Sequence, residues 1–117
     1  MNLKEVMDKL GLELLTPELP PDPAREVAGA YVSDLLSDVL AHGPEDGLLV
    51  TVQVHMNVVA VSVHAGLAGV IFAMGRRPED SVRAKAVEEG VTLFASNESA
   101  FDVVGRLYAL GLRGSRA

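Results

Sequence analysis

The sequence predicts a single α/β domain with a mostly parallel sheet of about five strands flanked by helices. Its 117 residues are typical of one domain. From residue 25 onward, segments of strand character alternate with segments of helical periodicity, which is the pattern of βαβ units. Ala68–Met74 is an apolar run of the kind found in strands covered on both faces. We divide the domain into a helix and strand (1–16), a proline-rich connector (17–24), βα repeats (25–112) and a tail (113–117).

The first 24 residues predict a helix, a short strand and the connector. Apolar residues recur at helical spacing through Met1–Leu10, and Gly11 is suited to end a helix there. Leu12–Leu15 follows as a strand. The connector contains four prolines, which exclude regular structure from it.

The next segments predict the first strand–helix–strand unit. Arg25–Val32 alternates weakly between polar and apolar residues and is predicted to be a strand. A helix follows, with Ser33 as its N-cap and Gly43 at its end. Leu48–Val54 is rich in β-branched residues and is predicted to be the second strand of the unit.

The segment after that strand is ambiguous, because polar residues at alternate positions give way to a valine-rich stretch. A single strand through both parts would run about three times the usual five or six residues. Parallel neighbours need a crossover of about a dozen residues, and Asn57–Leu67 has that length. We therefore predict that the strand ends at His55 and that a buried helix begins with Asn57 as its cap. An antiparallel hairpin is the alternative.

The last third predicts a further helix, strand and helix. Pro78 at the first helical position and Gly90 beyond the end frame a helix through Ser81–Glu89. Val91–Ala95 is the last predicted strand, and residues 96–99 offer caps for the final helix. The apolar side of that helix, which we expect to face the core, consists of Phe101, Val104, Leu107 and Tyr108.

Composition excludes several classes of function. The formal charge of −6 and scattered basic residues argue against nucleic acid as a partner. The chain has no cysteine, which excludes disulfides and cysteine-ligated zinc or iron–sulfur sites, and we expect no cofactor. The longest apolar run, Val58–Phe72, is too short and too interrupted to span a membrane, and no signal peptide is visible. We expect a soluble cytoplasmic protein.

Apolar residues make up 49% of the chain before its 11 glycines are counted, whereas typical usage is about 45–50% with glycine included. A small domain of this composition has more apolar surface than one core readily hides. We therefore predict a homodimer, with Gly29–Val32 and Val58–Val63 as contributors to its interface.

Three blocks of the chain resemble a known family: Gly29–Ser37, Thr51–Val61 and Ala100–Tyr108 are similar to successive blocks of stand-alone DRTGG-domain proteins. The resemblance covers nearly the whole chain up to Leu112. It implies an α/β fold similar to the N-terminal domain of HPr kinase/phosphorylase. Domains of this family accompany CBS domains in regulatory pyrophosphatases, and short members occur beside redox and hydrogenase genes.

The chain departs from that family in two ways. The five-residue string that names the family is absent, and no Gly-x-x-x-x-Gly-Lys-Ser/Thr phosphate loop is present. We therefore expect no enzyme activity, and specifically no kinase, ATPase or hydrogenase activity. The sequence favours a regulatory module that binds an anionic metabolite or a nucleotide. The alternative is a structural subunit that docks a partner enzyme of a metabolic or redox system and binds no small molecule.

The first candidate ligand-binding set is Thr51, Gln53, His55 and Asn57, at the carboxyl end of a predicted parallel strand. Ligands of open parallel sheets bind beyond the carboxyl ends of the strands. Threonine and glutamine are unusual inside a buried parallel strand, and a buried polar group needs a partner. That partner is either a ligand or the protein's own backbone.

Two further groups complete the predicted set. Ser33 and Asp34 begin a predicted helix on which Asp34 and Asp38 lie one turn apart, so their carboxylates share a face. That arrangement suits Mg²⁺ held through water, although acids near a helix N-terminus more often serve its dipole. Arg76 lies between a strand and a helix, where a guanidinium group can meet a phosphate or carboxylate; a solvated loop is the alternative. The three histidines show no metal-ligand spacing, and no metal is predicted.

Overall fold

The computed structural model describes residues 1–114, which form five helices and five strands. The part of the predicted tail beyond residue 114 lies outside the described residues. In chain order the elements are α1 (Leu3–Leu10), β1 (Glu13–Leu14), β2 (Gly29–Val32), α2 (Leu36–His42), β3 (Gly47–Thr51), α3 (Asn57–Ala65), β4 (Gly69–Phe72), α4 (Asp80–Glu89), β5 (Leu93–Ala95) and α5 (Ala100–Ala109).

The strands form one sheet in the order β1-β5-β4-β3-β2. Strands β2 to β5 are parallel to one another, and β1 pairs antiparallel with β5, so the sheet is mixed. The prediction of a mostly parallel sheet is confirmed, and the single antiparallel pair is an addition to it. The proline-rich connector between β1 and β2 contains no helix or strand, as predicted.

The two faces of the sheet are covered by different helices. Side chains of α1 and α5 pack with Leu48, Val50 and other strand residues on one face, and α2, α3 and α4 pack with Leu49 and Phe72 on the other. Successive residues of β3 point to opposite faces, and all five are buried. Helices on both faces explain why the parallel strands are continuous apolar runs.

The crossover helix α3 is confirmed, and the alternative of a hairpin is wrong because β3 and β4 are parallel. The predicted end of the preceding strand is wrong. Strand β3 ends at Thr51, four residues before His55, because the Thr51 hydroxyl bonds outside the sheet and the chain then turns away. Valine-rich α3 forms despite poor intrinsic helix propensity because Val58 and Val59 are buried in the core and Val61 packs against it.

Several predicted boundaries also change. Arg25–Ala28 lies outside β2, and the helix after β2 begins at Leu36 with Leu35 in the N-cap position, so Ser33 does not cap it. Instead, the Ser33 hydroxyl accepts a hydrogen bond from the Leu35 amide. Helix α4 begins at Asp80 with Glu79 as N-cap, which places Pro78 before the helix.

The prediction for the apolar side of α5 is wrong for its two aromatic residues. Leu107 is buried, but Phe101 is 84% exposed and Tyr108 is 59% exposed. The sheet-facing stripe of the helix is centred on Val103 and Leu107, and the two aromatic rings lie to one side of it. Helical spacing alone identified the apolar residues without showing how much of the helix the sheet covers.

The two segments predicted for a dimer interface are partly used within the chain. Val58 and Val59 are buried in the core, whereas Val63 is exposed. The outer edge of β2 is partly covered, because the Ala30 amide donates to the Arg113 carbonyl at 2.9 Å. Within residues 1–114, no helix is long and apolar enough to cross a membrane.

Candidate ligand-binding cleft

The four parallel strands end at the same edge of the sheet, and the connections to α2, α3 and α4 begin there. Each parallel strand is followed by a helix, so residues far apart in sequence meet at this edge. It is the edge where open parallel sheets bind ligands. The residues predicted to bind a ligand lie along it.

Thr51 and Asp34 form a contact that joins two of these connections. The Thr51 hydroxyl donates to Asp34 Oδ1 at 2.8 Å, and the Val52 amide donates to the same oxygen at 2.8 Å. The Thr51 oxygen also accepts from the Gln53 amide at 3.0 Å. The Thr51 hydroxyl donates and accepts within the protein and the residue is buried, so it is not available to a ligand.

The same pattern continues along the connection to α3. Gln53 Oε1 accepts from the His55 amide at 3.1 Å, and His55 Nδ1 accepts from the Asn57 amide at 3.0 Å. The His55 side chain therefore caps the first amide of α3, Met56 occupies the N-cap position without a side-chain hydrogen bond, and the predicted Asn57 cap is wrong. Because Nδ1 is an acceptor, the neutral ring carries its proton on Nε2.

A cleft of about 550 Å³ lies between the β3–α3 connection and the β4–α4 connection. Its volume falls within the range of small-molecule sites, about 300–1,000 Å³. Three of the predicted ligand residues line it: Gln53, His55 and Arg76. The other lining residues are Val54, Met56, Arg77, Glu79, Ser81 and Val82.

The two arginines of the cleft differ in their partners. Arg77 makes two hydrogen bonds to the Glu13 carboxylate, at 2.7 and 2.8 Å, and these raise the pKa of Arg77. Within residues 1–114, Arg76 has no ion pair. Among the other lysines and arginines of residues 1–114, only Lys9 and Arg113 also lack one, and Arg113 stacks on the Tyr108 ring with its guanidinium carbon 3.7 Å from the ring centroid. Arg76 is thus a cation in a cleft with no partner in the described chain.

Glu79 and Ser81 line the cleft but were not predicted. Glu79 occupies the N-cap position of α4, but its side chain makes no capping hydrogen bond. Both residues follow Arg76 closely in sequence. The signal that would have identified them is the first turn of the helix after β4, at the same sheet edge as His55.

The remaining predicted residues lie at the same edge of the sheet but outside the cleft. Asn57 lines a separate groove of about 230 Å³ between α3 and α4. Ser33 and Asp34 lie in the β2–α2 connection and do not line the cleft.

The predicted sharing of a face by Asp34 and Asp38 is wrong. Asp34 precedes the helix and bonds to Thr51, whereas Asp38 lies on the helix and accepts from the Tyr31 hydroxyl at 2.8 Å. That hydrogen bond lowers the pKa of Asp38. Within the described residues, no group of three histidine or acidic side chains could hold a metal ion.

No protein-family model matches the chain, and no curated protein matches it. Among solved structures, the chain is similar to the CBS and DRTGG domains of the regulatory region of a pyrophosphatase from Clostridium perfringens, complexed with its activator diadenosine tetraphosphate. The TM-score is 0.67 at 15% sequence identity. The match covers 96% of this chain and 47% of the pyrophosphatase chain, so this chain spans about half of that structure. This likeness supports a DRTGG-related fold.

Proposed function

We propose that the chain is a non-catalytic regulatory module that binds an anionic metabolite or a nucleotide in the cleft between the β3–α3 and β4–α4 connections. The observation that carries the proposal is Arg76, a cation that lines the cleft without an ion pair in residues 1–114. A protein gains little stability from such a solvated cation, whereas an anionic ligand gains a charge-assisted hydrogen bond from it.

His55 and Gln53 support this function from the opposite wall. The backbone occupies His55 Nδ1 and Gln53 Oε1, so the groups left for a ligand are the Nε2 hydrogen and the amide nitrogen. Both are hydrogen-bond donors. The protein is acidic overall, so a local cluster of donors favours an anion within an otherwise repulsive field.

The structural neighbour is consistent with a regulatory role, since it is the regulatory region of an enzyme in complex with an activating nucleotide. We propose no enzyme activity for this chain. The expected result for the purified protein is no kinase, ATPase or hydrogenase activity. Phosphoryl transfer that persists through repurification and is lost in Arg76→Gln would contradict the proposal.

A thermal-shift screen of nucleotides, inorganic phosphate and organic acids tests ligand binding. A ligand present at 100 times its dissociation constant stabilises the folded protein by about 2.7 kcal/mol. Loss of a hydrogen bond to a charged group costs about 1.5–3 kcal/mol, so we expect Arg76→Gln to abolish most of the shift. Lys9→Gln is the matched control, because Lys9 also lacks an ion pair within residues 1–114 but lies on α1, outside the cleft. An equal response of both variants would refute the cleft as the binding site.

A structural interaction subunit, which docks a partner enzyme and binds no small molecule, is the second candidate. The observation that favours it is the exposed aromatic pair Phe101 and Tyr108 on α5, because monomers seldom expose contiguous apolar patches. If no compound in the screen shifts the melting temperature and a partner protein co-purifies, this function is supported instead.

We also propose that the chain forms a homodimer, with α5 contributing the exposed Phe101. Light scattering at low micromolar concentration should give twice the chain mass of 12.4 kDa. Phe101→Glu should reduce that mass to the monomer value without unfolding the domain, because this side chain is 84% exposed. A monomer mass for the wild type in both low and high salt would exclude an apolar dimer.

A further inference from the structure

The cleft combines three kinds of chemistry, and together they restrict the ligand more than the arginine does alone. Arg76 supplies a positive charge, Glu79 supplies a carboxylate, and Val54, Met56 and Val82 supply apolar surface. These groups are divided between two walls that belong to consecutive connections of the sheet. A ligand that fits the cleft must satisfy all three.

The donors at the cleft call for an anionic group. The Arg76 guanidinium, His55 Nε2 and the Gln53 amide nitrogen can each donate a hydrogen bond to an oxyanion. The backbone bonds to the other polar atoms of His55 and Gln53, and Arg76 has no ion pair within residues 1–114. The Ser81 hydroxyl, on the first turn of α4, is a further donor lining the same cleft. A phosphate group, with several equivalent oxygens, uses more of these donors than a single carboxylate does.

The carboxylate of Glu79 disfavours a ligand that carries only an anionic group. Its carboxylate lines the cleft, makes no capping hydrogen bond, and has no ion pair within residues 1–114. A bare anion beside it would be repelled. A ligand that also carries a hydroxyl or amino donor turns Glu79 into an acceptor, as acidic residues do for ribose hydroxyls in dinucleotide sites.

The apolar surface and the volume complete the requirement. Inorganic phosphate fills a small part of a cleft of about 550 Å³ and leaves its apolar lining, chiefly the exposed Met56, uncovered. Met56 is partly exposed, and its flexible thioether adapts to a flat ring. A ring system joined to a phosphate through a hydroxyl-bearing sugar presents the three required groups in one molecule.

We infer that the cleft binds a nucleoside phosphate. The phosphate lies at Arg76, a sugar hydroxyl lies at Glu79, and the base packs against the apolar residues that line the cleft. This inference rests on the proposed function of the cleft as an anion-binding site. It adds the ligand class and assigns Glu79 and Met56 as residues that determine specificity.

Isothermal titration calorimetry tests the inference with four sets of probes: the 5′-monophosphates of the common ribonucleosides, the unphosphorylated nucleosides, inorganic phosphate, and citrate. We expect at least one nucleoside monophosphate to bind tenfold or more tightly than inorganic phosphate, citrate or its own nucleoside. This comparison needs only the wild-type protein, so it does not depend on the folding of a variant.

Three variants then separate the roles of the residues. Arg76→Gln should lower the affinity of the protein for every anion that binds by tenfold or more. Glu79→Ala and Met56→Ala should each lower the affinity for the nucleoside monophosphate by fivefold or more. Neither variant should lower the weak affinity for inorganic phosphate. Glu88→Ala is the control, because it removes an acidic residue of α4 that does not line the cleft. It should leave the affinities for the nucleoside monophosphate and for inorganic phosphate unchanged.

The outcomes distinguish the inference from the proposed function. If inorganic phosphate or citrate binds as tightly as any nucleoside monophosphate and Arg76→Gln abolishes this binding, the anion site stands and the inference is wrong. If a nucleotide binds but Glu79→Ala and Met56→Ala leave its affinity unchanged, the inference is also wrong. If none of the probes binds, both the inference and the proposed function are wrong.

Discussion

The two walls of the cleft use polar residues in opposite ways. In the β3–α3 connection, Thr51, Gln53 and His55 each accept a hydrogen bond from the backbone amide two residues further along the chain. In the β4–α4 connection, Arg76 has no ion pair within residues 1–114 and the Glu79 side chain does not cap its helix. The first wall uses its polar groups to hold the backbone, whereas the second leaves Arg76 and Glu79 to solvent or a ligand, although its Arg77 pairs with Glu13.

The difference shows what a polar residue at a strand end signifies. The chain leaves the sheet after Thr51 and enters α3 only at Asn57, so five residues lack sheet or helix partners for their backbone amides. Side chains at alternate positions accept hydrogen bonds from some of these amides. Asp34, which lies in the neighbouring β2–α2 connection, accepts one from the Val52 amide. Within residues 1–114, no buried side-chain nitrogen or oxygen lacks a hydrogen-bond partner. The unusual residues of the first wall therefore have a structural explanation.

The strongest test of this comparison is Thr51→Val, which keeps the shape of the side chain and removes the hydroxyl. Asp34 loses a donor and the Gln53 amide loses its acceptor, so we expect the free energy of unfolding to fall by about 1–3 kcal/mol. Urea denaturation at neutral pH measures the change. Thr51→Ser keeps the hydroxyl and loses one methyl group, so its loss should be smaller, about 1 kcal/mol. A larger loss for the serine variant would contradict the structural role of the hydroxyl.

The second test addresses the end of the same wall, where His55 caps α3. His55→Ala removes the acceptor of the Asn57 amide and should lower the free energy of unfolding by about 0.5–2 kcal/mol, as the loss of an N-cap does. His55→Asn places a side-chain oxygen near the same amide and should recover most of that loss. Equal stability of the alanine variant and the wild type would show that the cap contributes nothing.

The third test extends the comparison to the β2–α2 region, where Tyr31 donates to Asp38. This hydrogen bond lowers the pKa of Asp38 in the folded state. A carboxyl with a lowered folded pKa stabilises the protein above its unfolded pKa, about 3.9, and the stabilisation is lost as the pH falls through the folded pKa.

We therefore expect the free energy of unfolding to fall less between pH 7 and pH 3 in the Tyr31→Phe variant than in the wild type. Urea denaturation at pH 7 and pH 3 should show a smaller difference for this variant than for the wild type. An unchanged difference would show that Tyr31 does not govern the titration of Asp38.

The smallest expected effect on stability belongs to the second wall. Arg76→Gln should change the free energy of unfolding by less than about 0.5 kcal/mol, because the side chain is exposed and makes no ion pair with the described chain. The same urea experiment measures it. Destabilisation as large as that of Thr51→Val would mean that both walls serve the fold, and the contrast between them would fail.

The order of the elements could be predicted from the sequence because its local signals are strong. Gly11 and Gly90 adopt positive φ at the ends of α1 and α4, where a left-handed residue is needed. Apolar periodicity marks α1, and the crossover length between parallel strands marks α3. The antiparallel pairing of β1 with β5 could not be predicted, because a two-residue strand carries no information about its partner. The premature end of β3 depends on Asp34, which becomes its neighbour only after folding.

For the candidate site, the sequence placed the predicted residues at the carboxyl ends of the strands but did not show which of them bond to the protein itself. A polar residue type shows that a partner is required, and does not show whether that partner is a ligand or the backbone. Thr51 and Asp34 satisfy each other, so their selection as ligand residues reflected a real need that the fold meets internally. Arg76 was selected because a guanidinium group between a strand and a helix can meet a phosphate or carboxylate.

The attachment of the N-terminal segment has a consequence for the order in which the chain folds. Strand β1 pairs with β5, the Leu93 amide donates to the Thr16 hydroxyl, and Arg106 on α5 donates to the Lys9 and Leu10 carbonyls. These contacts join residues that are 77 to 97 positions apart. Contacts of such separation form late and slow the folding of a small domain. During synthesis, α1 and β1 emerge before β5 and α5, so these contacts form only after almost all of residues 1–114 have left the ribosome.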